Sequence, residues 1–180
     1  MSTALMAPRV VLMGPPGAGK SSVGRALASL LRERLRDTDE DIEVSEGVTV
    51  AQIFIDQGEQ HFRELEAAAV ARALREHAGV LSLGGGAPLA PDTQAALKAY
   101  AAAGGVTVFL DVSLAAVVPR VGLNASRPLL LGNPRQQWMA LMAARRPIYE
   151  ELATMTVLTD ERTPREVAQE IASAVSGVSS

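Results

Sequence analysis

The chain of 180 residues contains no cysteine, so no disulfide and no thiolate metal site can contribute to its stability or chemistry. No apolar run approaches the ~20 residues that a membrane helix needs. Residues 1–8 lack the charged-then-apolar layout of a secretory signal, and the expected location is the cytoplasm, with no membrane partner. Positive charge is not in excess either: 17 Lys and Arg face 20 Asp and Glu, for a net charge of -3. That balance offers no electrostatic footprint for nucleic acid, and any anion must be held locally. Repeats, linkers and low-complexity tracts are missing as well. With 48% hydrophobic residues, the chain reads as one domain spanning 1–180 around a real core, expected to be a monomer. Lysine is the last scarcity, since Lys20 and Lys98 are the only two among the 17 basic residues.

Lys20 stands in the most informative stretch that is present. Gly14-Pro15-Pro16-Gly17-Ala18-Gly19-Lys20-Ser21 fits the phosphate-loop pattern G-x-x-x-x-G-K-S/T. The apolar run Val10-Val11-Leu12-Met13 precedes it like a buried parallel strand, and an amphipathic helix follows. A strand that turns through glycines into a helix start exposes backbone N–H donors without intrahelical acceptors, and these bind phosphate. Lys20 would reach the β- and γ-phosphates, and Ser21 would set its hydroxyl on Mg²⁺. In an arginine-rich chain, lysine is kept where a compact ammonium is wanted. Pro15 and Pro16 remove two donors, so the amides around 17–22 must do the binding.

Short strand-like runs alternate with helical patterns, which predicts an α/β fold with a parallel sheet covered on both faces. Strands are expected at 10–13, ending at Asp37, at 80–83, 106–110 and 155–158. Helices are expected at 21–31, 39–46, 50–57, 60–77, 92–100, 113–121, 134–152 and 163–175, the last opened by Thr163-Pro164-Arg165-Glu166 as a capping box. In open parallel sheets the ligands sit beyond the carboxyl ends of the strands. Asp37-Thr38-Asp39 follows the second strand and Gly84-Gly85-Gly86 the third. The carboxylates suit a water-bound Mg²⁺ or a substrate hydroxyl, although Asp39 would serve equally as a helix N-cap. Arg63 could act at a site or only pair with Glu66 three residues on. The long connection at 122–134 holds Arg127 between Gly122 and Gly132, and reads as a lid or as a plain surface loop.

Taken together, Gly14 to Ser21, Asp37-Thr38-Asp39, Phe54, Phe62-Arg63, Gly84-Gly85-Gly86, Arg127-Pro128-Leu129-Leu130 and Arg145 to Tyr149 resemble the shikimate kinase family in order and spacing, over about residues 9–175. The resemblance implies a three-layer fold with a five-stranded parallel sheet in the order 2-3-1-4-5, a lid at about 122–133 and a substrate-binding helical region at about 37–66. It implies ATP-dependent phosphorylation of the 3-hydroxyl of shikimate, with Mg²⁺, and ATP, ADP and shikimate as ligands. The implied nucleotide-binding residues are Gly17, Ala18, Gly19, Lys20, Ser21, Ser22, Arg120, Arg127, Arg162 and Pro164. Asp39, Phe54, Phe62, Arg63, Gly84, Gly85, Gly86 and Arg145 would bind shikimate, with Arg63 and Arg145 clamping its carboxylate. Ser21 and, through water, Asp37 would hold the metal. Lys20, Asp39 and Arg127 would carry the catalysis. A kinase of the same fold acting on another small polyol or acid, and a sensing domain without turnover, are the rival readings.

Overall fold

The computed structural model describes residues 6–121 and 133–177. Strand β1 (Val10–Met13) lies at the centre of a five-stranded sheet in the order β2-β3-β1-β4-β5. The other strands are β2 (Leu35–Asp37), β3 (Val80–Ser82), β4 (Thr107–Asp111) and β5 (Met155–Leu158). Every pairing is parallel, with Val11 of β1 opposite Leu81 on one side and Thr107 on the other. All four β1 residues are fully buried, as expected for a strand flanked by strands and covered by helices on both faces. Each such side chain contributes about 1.5–3 kcal/mol relative to exposure.

The helices are α1 (Lys20–Leu31), α2 (Thr38–Glu46), α3 (Val50–Gln57), α4 (Glu59–Glu76), α5 (Pro91–Ala102), α6 (Leu114–Val121), α7 (Pro134–Leu152) and α8 (Pro164–Gly177). Both the α/β class and the 2-3-1-4-5 order agree with expectation, and element ends differ by one or two residues. A single 3₁₀ turn, Ala87–Leu89, was not anticipated. Helices α1 and α8 pack together, with α1 also on β3, while α4 and α5 pack on each other and on the 3₁₀ turn. A satellite cluster of Ile42, Ile53, Phe62 and Ala69 fastens α2, α3 and α4 to one another, making a separate small core for that region.

The capping box forms as read: Glu166 Oε2 accepts from Thr163 N at 2.8 Å, and Thr163 Oγ1 accepts from Glu166 N at 3.2 Å. The lid expected at 122–133, with Arg127, lies outside the described residues except for Asn133. Asn133 caps α7, its side chain accepting from the Arg135 and Gln136 amides.

Candidate active site

At Gly19 the chain is left-handed, with φ of 92°, at the N-cap of α1. A β-carbon would be strained there, so the loop-to-helix switch requires glycine. Two cavities meet over this loop. One, of about 360 Å³, is lined by Gly17, Ala18, Gly19 and Ser22, together with Arg120, Thr159, Arg162 and Pro164. The second, of about 330 Å³, is lined by Lys20, Ser21, Asp37, Asp39, Gly84 and Gly85, with Gly17, Gly19 and Ser22 shared. Every described residue assigned to the nucleotide thus borders one cavity or the other.

Arg120 crosses from α6 to the end of β5, donating to Thr159 Oγ1 and Thr159 O at 2.9 Å each, and to Gly17 O at 3.3 Å. Its fork ties the first cavity's rim to the loop. Arg162 is held by Glu170 at 2.9 Å. Lys20 Nζ folds back on the loop, donating to Gly14 O at 2.7 Å and Pro15 O at 3.0 Å. Burial lowers its pKa from 10.5 to about 8, against the attraction of Asp37 and Asp39. It therefore stays cationic at neutral pH. Lys98, by contrast, forms an exposed pair with Glu151.

The two aspartates divide their tasks differently from the alternative left open by sequence. Asp37, not Asp39, is the N-cap of α2: its Oδ1 accepts from Asp39 N at 2.8 Å and from Glu40 N at 3.4 Å. Asp39 sits in the first turn, and its Oδ1 is buried without a hydrogen-bond partner. Burial, then the neighbouring charges of Asp37 and Glu66, raises its pKa from 3.8 to about 6. Such a carboxylate is an acceptor in want of a donor, with a pKa suited to proton transfer near neutrality.

The three glycines each make room for a charged side chain. A β-carbon on Gly84 would lie 2.7 Å from Asp39 Oδ1 and 2.8 Å from Glu66 Oε2. One on Gly85 would lie 3.3 Å from Arg145 Nη1, and one on Gly86 would collide with the Arg63 guanidinium. A run that looked like a weak turn signal is therefore the place where α2, α4 and α7 bring their charges together. Arg63 pairs with the buried Glu66 at 2.7 Å, so the bond to Glu66 belongs to the site and is not a surface pair. Its guanidinium also stacks over Phe54 and Phe62, at 6.0 and 5.4 Å from the ring centroids. Phe62 is buried in the satellite core, and Phe54 packs on it with centroids 4.7 Å apart. Among the described residues, then, the phenylalanines support Arg63 and do not line the second cavity.

Some participants gave little signal in the sequence. Trp138 Nε1 donates to Pro16 O at 3.3 Å, linking α7 to the loop. Thr38 Oγ1 accepts from Gly84 N at 3.2 Å. Tyr149 OH donates to Gly85 O at 2.6 Å. Thr38 and Tyr149 stood within motifs read for other residues, and Trp138 within none.

Arg63, Gly86 and Arg145, like the phenylalanines, are not in the lining of the second cavity; Arg63 and Arg145 instead approach Gly86 and Gly85 of the turn at its edge. A phosphate loop on the central strand of a 2-3-1-4-5 sheet, opening on two cavities of which the second is lined by Lys20 and two carboxylates, defines a small-molecule phosphotransferase. A family profile described as shikimate kinase matches residues 16–176. The shikimate kinases of Streptomyces coelicolor and Salinispora tropica are 53% and 55% identical to the chain, over 95% and 93% of it and 97% of each relative. The solved shikimate kinase of Acinetobacter baumannii in complex with shikimate superposes with a TM-score of 0.86 at 34% identity, covering 97% of this chain and 95% of that one. The chain belongs to the shikimate kinase family.

Proposed function

We propose that the chain transfers the γ-phosphoryl group of ATP to the 3-hydroxyl of shikimate, giving shikimate 3-phosphate and ADP in aromatic amino acid biosynthesis. The family membership and the orphaned, buried Asp39 Oδ1 beside Lys20 and the glycine turn support this reading. ATP occupies the first cavity, with its base between Arg120, Arg162 and Pro164. The amides of 17–22 and Lys20 hold its phosphates. Shikimate occupies the second and reaches the glycine turn at its edge, where Arg63 and Arg145 face its carboxylate as planar forks, while Asp39 accepts from the attacking hydroxyl. Catalysis is then mostly positioning and charge neutralisation. The role implied for Arg127 as a charge on the transferring group belongs to a residue outside those described.

The donor set fits Mg²⁺. Among the described residues no three Asp, Glu, His or Cys side chains gather into a metal cage, and a cation that keeps several waters needs none. Ser21 and Asp37 both border the second cavity, and Asp37 retains Oδ2 after capping α2. These two would hold the ion, which neutralises phosphate charge when bound. Among the described residues no helix is long and apolar enough to cross a membrane.

The test is ADP release in a coupled assay against a panel of hydroxylated acids that includes shikimate and quinate. Shikimate is expected to stimulate release far above the ATP-only background. Stimulation by another acid alone would reassign the substrate, and none by any acid would favour a sensing domain.

A further inference from the structure

The glycine turn presents an unusual division of its backbone groups. Gly84 O accepts from Ala87 N at 3.0 Å and Gly86 O from Leu89 N at 3.1 Å, both within the turn and its 3₁₀ continuation. Gly84 N is taken by Thr38 Oγ1. Gly85 O is the one carbonyl of the three held by a distant side chain, the Tyr149 hydroxyl at 2.6 Å. Among the described residues, the amides of Gly85 and Gly86 have no recorded hydrogen-bond partner. All carbonyls are engaged and two donors are left for a ligand.

A trans peptide unit directs its C=O and its N–H to opposite sides, and the chain has no cis peptide bond among its described residues. Fixing Gly85 O therefore fixes the direction of the Gly86 N–H. Glycine peptides rotate more freely than others, so without an external anchor this unit has little to hold it. Tyr149 is itself well anchored. It is buried in α7, stacked on Phe109 of β4 with ring centroids 5.0 Å apart. It also stands one helical turn beyond Arg145, on the same face. Burial pushes the phenol pKa up, while the positive charge of Arg145 works against that rise. Arg146 braces the same stretch, forked onto Asp111 at 2.8 and 2.9 Å and lying over the Phe109 ring.

We propose that Tyr149 is a positioning residue for the acid substrate: its hydroxyl holds the Gly85–Gly86 peptide in one arrangement beside the Arg145 guanidinium, so that the free amides and the cation meet the same ligand. This rests on the shikimate kinase reading. Tyr149 touches no reacting atom. Its effect is on binding the acid, leaving phosphoryl transfer and the nucleotide largely alone.

The test is Tyr149→Phe, which keeps the ring and its stacking and removes only the hydroxyl. Steady-state kinetics and the shift in Tm produced by shikimate without nucleotide would be measured on wild type and variant. The expected result is a rise of roughly tenfold in the KM for shikimate, the equivalent of one good hydrogen bond. The KM for ATP and kcat should each stay within about threefold. The shikimate-induced Tm shift should shrink to match. A shikimate KM within about threefold of wild type would overturn the proposal. So would equal losses on both substrates, because a tyrosine that merely supports the fold gives no split between them. Wild-type turnover without any dependence on shikimate would instead sink the underlying function, so the two failures are distinguishable.

Discussion

The two cavities that share the phosphate loop are built in opposite ways. The side proposed for the nucleotide begins with a contiguous stretch, Gly14 to Ser22, that runs into the start of one helix. The acid side is assembled from α2, α4, the turn after β3 and α7, whose charged residues Asp39, Arg63, Glu66 and Arg145 converge on three glycines. A local device tolerates change in the rest of the chain, because its donors are backbone groups. An assembled one depends on every element that brings a side chain to it. The perturbed pKa values of Lys20, Asp39 and Glu66 arise first from burial at and beside the second cavity.

Lys20→Ala should break both sides at once and have the largest effect. Removing the ammonium should cost at least ~3 kcal/mol of barrier, about 100-fold in turnover. Near-normal turnover of a folded variant would refute the loop's role. Asp39→Asn comes next, with a loss of tens to about 100-fold in kcat and little change in ATP binding, because the acceptor charge is gone while Asp37 still caps α2. Wild-type activity should show an acid limb near pH 6 in kcat/KM for shikimate, where Asp39 takes up a proton. An unchanged pH profile in the Asn variant would mean another group is responsible.

Arg145→Ala and Arg120→Ala sharpen the contrast between the cavities. The first is expected to raise the shikimate KM by about 10-fold or more, with Lys rescuing only partly because the fork is lost. The second should raise the ATP KM severalfold and spare shikimate. A reversed pattern would show that the ligands have been exchanged between cavities. The smallest effect is on stability. The folded state holds the Asp39 proton more tightly than the unfolded chain, so that contribution is complete below the ordinary value of 3.8 and is lost as pH rises through about 6. Asp39→Asn should therefore melt a few degrees higher, about 2–4 °C, at neutral pH. A lower Tm there would point to a structural role for the charge.

The sequence carried the phosphate loop, β1 and the last helix's cap because each depends on short-range pattern: glycine spacing, an apolar run, a cap signal. The sheet order came only with the family that the spaced motifs resemble. It was ambiguous at Asp37 and Asp39. Both are aspartates beside a helix start, and only the backbone path decides which reaches the free amides. It was weakest at Glu66 and Tyr149. A glutamate three residues after an arginine, or a tyrosine late in a long helix, has the same local pattern whether it faces water or a site.

What the sequence alone determined, then, is the kind of chemistry: a phosphate cradle written in consecutive residues, where backbone geometry follows directly from glycine and helix propensity. What only the tertiary structure decided is which charges share a cavity. Burial, the approach of Glu66 and Asp39 to Gly84, the orphaned Asp39 oxygen and the tie from Tyr149 to Gly85, 64 residues apart, depend on distances between segments remote in the chain. Those distances are set by the packing of helices onto the sheet, which no local pattern encodes.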